Sequence, residues 1–195
     1  KNQDLDKTIQ VAIELIPMAQ SLNLTSHLFE AIHDLYSREF FRKISKEKKH
    51  QALKKLITKG VQEQDPHRRS FYQELIYNLF RYHEHYAYWN AYCNKNKVRP
   101  GQDVSVTVYN YRYYDDKQSK KSYNLLFQVS KLELDENLKP QAFEIIRQDT
   151  LYQVTDNQQV LTETLKEPGI YRLTVYNDRN FNDFYVQATL LDLIT

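Results

Sequence analysis

The sequence predicts an α+β chain, with a helical bundle-like unit over residues 1–97 and an antiparallel β-sandwich over residues 98–195. Three observations carry this. Apolar residues recur at steps of three and four in the first half and at steps of two in the second. The change falls at Val98-Arg99-Pro100-Gly101, a turn signal. The charge also changes sign there. Residues 1–99 hold 17 Lys and Arg against 11 Asp and Glu, a net of +6; residues 100–195 hold 10 against 14, a net of −4, completing the 27 and 25 of the whole chain.

The helices follow from spacing and caps. Leu5, Ile9, Ala12, Ile16 and Ala19 line one side of a first helix, in which Pro17 removes a backbone donor and predicts a kink or an end. Thr25 or Ser26 caps a second, striped by Leu28, Phe29, Ile32, Leu35, Tyr36 and Phe40. A third starts near Ser45, buries Ala52, Leu53, Leu56 and Ile57, and is expected to stop at Gly60, because glycine accepts the left-handed conformation that closes a helix. Asp65-Pro66 supplies an N-cap and a first-turn proline for a fourth. Phe71, Leu75, Leu79, Tyr82, Tyr86, Trp89 and Cys93 keep one side of it, so the spacing predicts a helix over 66–94.

Beyond the turn, Val104, Val106 and Val108 alternate with Ser105, Thr107 and Tyr109, and Tyr123, Leu125, Phe127 and Val129 alternate with Asn124, Leu126, Gln128 and Ser130. Leu132 and Leu134 fall on the opposite parity, which predicts a bulge near Ser130 or Lys131. Five further strands are expected at 143–148, 151–155, 160–165, 169–177 and 183–193, separated by polar turns. No helix-length segment interrupts them, so parallel crossovers are not expected.

A resemblance rests on two stretches of this half. Arg99-Pro-Gly-Gln-Asp-Val-Ser-Val-Thr-Val resembles the opening strand of many immunoglobulin-like modules, and Leu165-Lys-Glu-Pro-Gly-Ile-Tyr-Arg-Leu-Thr-Val-Tyr-Asn177 is similar to their late strand pair. Macroglobulin-type domains and exported bacterial repeat modules share this look. The resemblance implies an immunoglobulin-like β-sandwich over the C-terminal half, and an extracytoplasmic (periplasmic, secreted or surface) setting. The antibody-type cysteine pair and core tryptophan are absent from it, which sets the chain apart from true antibody domains.

Composition narrows the function classes. Only 3 glycines argue against Gly-rich phosphate loops and dinucleotide folds. No apolar run of about 18 residues predicts a membrane-spanning helix. A single cysteine, Cys93, rules out an intrachain disulfide. The chain opens Lys-Asn-Gln with its one methionine at Met18, and reads as a processed chain or an excised fragment. No catalytic residue, cofactor or metal site is expected. On a helix His83 and His85 stand about 200° apart and cannot share an ion. Cys93 lies about 15 Å along such a helix from His83 and reads as a buried, inert thiol. Asp178-Arg-Asn180-Phe-Asn182-Asp183 begins like a calcium loop but lacks its glycine and its closing glutamate, and suits a hairpin turn.

Three binding surfaces are expected. Tyr109, Tyr111 and Tyr113 follow at steps of two on one face of a strand whose other face carries Val104, Val106 and Val108, so they are expected on the outer side of the sheet as contacts for another protein. This is the leading reading: a non-catalytic interaction or scaffold component rather than an enzyme. The basic segment 42–59, through Lys46, Lys48, Lys49, Lys54 and Lys55, suits an anionic membrane surface or anionic ligand. The Tyr/Trp/His side of helix 66–94 suits a glycan or an enzyme site. Nucleic acid is not expected, because the chain is nearly neutral and no base-reading motif accompanies the lysines.

Overall fold

The computed structural model describes residues 5–24, 26–28, 30–31, 43–80, 89–110, 123–154 and 158–190. These form helices and β-sheets, as the α+β class requires. The chain divides into two compact units, Lys1–Tyr86 with Asp178–Asn180, and Ala87–Asn177 with Phe181–Thr195. The division falls at Tyr86–Ala87 rather than at 97/98, because two short strands before the Pro-Gly turn join the sheets.

In the helical unit, α1 spans Leu5–Ser21 and buries Ile9, Ala12 and Ala19. It runs through Pro17 instead of ending there. Proline lacks the N–H that would bond the preceding turn, and the chain beyond closes with Leu22 N–H donating to Met18 O and Leu24 N–H to Ala19 O. The expected second helix lies mostly outside the described residues. Helix α2, Lys46–Gln62, is capped by Ser45, whose Oγ accepts from Lys48 N–H at 3.3 Å, and buries the four apolar residues expected. It continues past Gly60, which is buried within it; the end comes at Glu63, whose N–H bonds Lys59 O.

Helix α3 spans Pro66–Phe80 and packs on α2. Asp65 Oδ1 accepts from Arg68 N–H at 2.8 Å, the N-cap its sequence predicts. The described helix ends at Phe80, short of the expected Asn94. Trp89–Cys93 is instead a strand, β1.

The β unit contains β1; β2, Lys97–Val98; β3, Gln102–Asn110; β4, Tyr123–Leu134; β5, Pro140–Val154; β6, Gln158–Leu165; β7, Gly169–Tyr176; and β8, Phe181–Ala188. One sheet has the order β1-β3-β6 and the other β2-β8-β7-β4-β5. All pairs are antiparallel except the two-residue pair of β2 with β8, which is parallel. The turn before β3 is the Pro-Gly turn expected: Gln102 N–H returns to Arg99 O, and Gly101 takes φ +87, a value glycine adopts without strain.

The strands expected at 143–148 and 151–155 are one strand, β5. It pairs its 15 residues with the 12 of β4 through three register shifts, one of them at Val129/Ser130 as predicted. Each shift inserts a residue into β5, so its side chains change parity and a period-two pattern is lost.

Both sheets contribute to one apolar core. Trp89, Val104, Val106, Val108, Leu161 and Leu165 come from the first, and Leu125, Phe127, Val129, Leu173, Val175 and Val186 from the second. Arg147 on β5 pairs with Glu163 on β6, tying one sheet to the other. A tryptophan therefore does sit in the β core. It enters from β1, and its Nε1 finds no acceptor among the described residues.

Candidate functional site

The side of the three-stranded sheet turned away from the core is built by alternation. Trp89, Ala91 and Cys93 of β1 and the valines of β3 face inward, so Asn90, Tyr92, Thr107 and Tyr109 face outward. Register sets Tyr92 opposite Thr107 and Asn90 opposite Tyr109. The two tyrosines are thus diagonal neighbours, about 7–8 Å apart at their backbones. On the other flank, Val160 stands opposite Thr107 and Gln158 opposite Tyr109.

Tyr92 is 62% exposed, Val160 47% and Tyr109 39%. The rest of the face is tied down by polar bonds. Ser105 and Thr162 share a hydroxyl bond of 3.3 Å, and Thr164 Oγ1 donates to Asp103 Oδ1 at 2.6 Å. Asn94 grips Ser105 twice, donating its N–H to Ser105 O and accepting Ser105 N–H at Oδ1. Asp103 is the one charged side chain on this side of the three strands. The result is a flat surface with two aromatic rings, one branched apolar side chain and neutral hydrogen-bonding groups. Such a surface can bury ring area against a partner at low conformational cost.

Of the tyrosines expected as contacts, Tyr109 lies on this face, while Tyr111 and Tyr113 fall outside the described residues. Tyr92 is not among the contacts the sequence predicts, because it falls within the span expected as helix 66–94. The signal that finds it is the alternation within Trp89-Asn-Ala-Tyr-Cys93.

The lysine set divides. Lys46, Lys48, Lys54 and Lys55 are exposed on α2, whereas Lys49 is 9% exposed, on the inward side with Ala52, Leu53 and Leu56. The spacing 49, 53, 56 places its stem in the apolar stripe. The apolar side of α2 is consumed within the protein, so insertion of that side into a bilayer is not open to it, and electrostatics alone remains. No described helix is long and apolar enough to cross a membrane.

Of the aromatic side expected on helix 66–94, the described part divides between α3 and the strand β1. Trp89 is 2% exposed in the β core, and Tyr82, His83, His85, Tyr86 and Tyr88 lie outside the described residues. Cys93 is half-buried in β1, with its Sγ–H donating to Lys95 O at 3.1 Å; burial pushes the thiol pKa up, which leaves less of it as thiolate. Among the described residues no three metal-ligating side chains converge. Asp183, the last residue of the Asn/Asp-rich stretch, lies on β8 and accepts a bond from Thr174 Oγ1 of β7 at 2.7 Å.

No family model matches the chain, and no curated protein sequence does either. Among solved structures it is similar to a β-glucosidase from Listeria innocua, at 16% identity and TM-score 0.32 over 51% of this chain and 16% of that one. It is similar also to a superoxide reductase (neelaredoxin) from Ignicoccus hospitalis, at 12% identity and TM-score 0.31 over 52% of this chain and 79% of that one. The PKD domain of the human VPS10 domain-containing receptor SorCS2 matches at 19% identity and TM-score 0.30, over 53% and 73%. Likeness at this level leaves the site to be read from the chain's own residues.

Proposed function

We propose that the chain is a non-catalytic protein-binding module, with the outer side of its three-stranded sheet as the contact surface and Tyr92 and Tyr109 as its anchors. The observation that carries this is the pair of exposed tyrosines set diagonally on adjacent strands of a rigid sheet, in a neutral polar surround. Aromatic side chains of this kind concentrate binding energy at protein interfaces, and a sheet holds them without the entropy cost of ordering a loop. We read the β unit as an immunoglobulin-like sandwich; support comes from the shared core and from the Arg147–Glu163 bridge between the sheets. The extracytoplasmic setting rests on that likeness alone and is read by cell fractionation.

The test is the double substitution Tyr92→Ser/Tyr109→Ser. Neither hydroxyl has a described partner inside the fold, so the thermal midpoint is expected to stay within a few degrees of wild type. A protein recovered from native extract by the wild-type chain is expected to be lost with the variant. Equal recovery by both refutes the assignment of this face.

A further inference from the structure

We propose that the free edge of β6 is a self-association site, at which a second copy of the chain adds its own β6 antiparallel and joins two three-stranded sheets into one of six strands. This surface is backbone, and stands apart from the tyrosine pair. Gly101 N–H donates to Leu165 O at 2.7 Å, so Leu165 turns its peptide groups toward β3. By strand alternation Glu163, Leu161 and Gln159 do the same, and Gln158, Val160, Thr162 and Thr164 turn theirs outward. No described strand pairs with that side of β6. One cap lies on it, a bond of 3.3 Å from Gln159 Nε2 to Val160 O, which an incoming backbone N–H would replace.

The other sheet edges are defended. β5 opens on Pro140 and carries three inserted residues. β2 is two residues long. β1 is five residues long, and its Ala91 N–H is taken by Asn90 Oδ1 at 2.9 Å. Inserted residues, prolines and short length are the devices that keep edges from pairing. β6 has none of them: eight residues in unbroken register with β3, no proline, and no charge among its outward residues.

The charge pattern selects a second copy as the occupant. A two-fold axis at Leu161 sets Val160 opposite the second copy's Thr162, Gln158 opposite its Thr164, Leu161 opposite its own equivalent and Glu163 opposite Gln159. Like charges never meet, and the Glu163 carboxylate is already paired with Arg147. Branched side chains facing each other across an antiparallel pair favour the join. One edge of eight residues buries less surface than a permanent dimer needs, so the association is weak and concentration-dependent.

Sedimentation equilibrium of the full chain, with reductant present to keep Cys93 from cross-linking, reads the outcome. The apparent mass is expected to climb toward twice that of one chain between micromolar and millimolar concentration. Thr162→Pro removes an outward N–H and leaves the β3 ladder intact, so it is expected to weaken association about tenfold or more. Thr162→Val loses only the hydroxyl contact to Ser105 and is expected to associate like wild type. Should Thr162→Pro fail to fold, Thr162→Lys carries the same expectation by placing a charge at the edge. Tyr92→Ser/Tyr109→Ser is expected to associate normally, which separates this site from the partner surface. A wild-type chain that stays monomeric throughout, or a folded Thr162→Pro that associates as tightly, overturns the proposal.

Discussion

Arg69 is fully buried on α3, with its guanidinium donating to Val61 O and, at 2.9 Å, to Glu63 O. These carbonyls lie at the end of α2, where a helix runs out of intrahelical donors. Arg69→Met keeps the stem and removes the donors. It is expected to cost about 2–3 kcal/mol, read as a lower urea midpoint by circular dichroism in the helical band. An unchanged midpoint would show that water replaces the guanidinium at no cost. Nothing in the local sequence announces this residue, since an arginine in the first turn of an amphipathic helix is ordinarily solvated. Lys49 is a similar case: its charge suggests the surface, but its position on the stripe takes it inward. Cys93, expected to be buried on a helix, is half-buried on a strand.

Element starts were legible where a side chain satisfies the backbone locally. Ser45 and Asp65 cap α2 and α3 at the positions their sequence indicates. Asp65→Ala leaves Arg68 N–H without its carboxylate acceptor, and is expected to lower stability by about 1 kcal/mol, measured by chemical unfolding against wild type. Recovery in Asp65→Asn, which keeps an acceptor oxygen, would tie the loss to the cap. Element ends were less legible. Trp89 and Cys93 are four apart and also of equal parity, so they satisfy a helical stripe and a strand together. Pairing with β3 decides between them, and no local pattern reports that partner. The three insertions in β5 scramble its alternation for a related reason: a bulge is set by the neighbouring strand.

At the scale of the molecule, the two sheets share a core and meet at Arg147 and Glu163, which are 35% and 18% exposed. A double-mutant cycle with Arg147→Met and Glu163→Gln is expected to return a coupling energy of about 1 kcal/mol, modest because the pair is partly solvated. A coupling of zero would leave sheet-to-sheet cohesion to the apolar core alone. The sequence by itself determined the α+β class, the caps, the Pro-Gly turn and the inward set Val104, Val106, Val108, Leu125, Phe127 and Val129, because each depends on residues within a few positions of one another. Only the tertiary structure decided that Trp89–Cys93 is a strand, that Tyr92 is the companion of Tyr109, and that among the described edge strands β6 keeps an unbroken register while β5 carries insertions. Those are matters of which segment lies beside which, and hydrogen bonds between residues tens of positions apart leave no period in the chain.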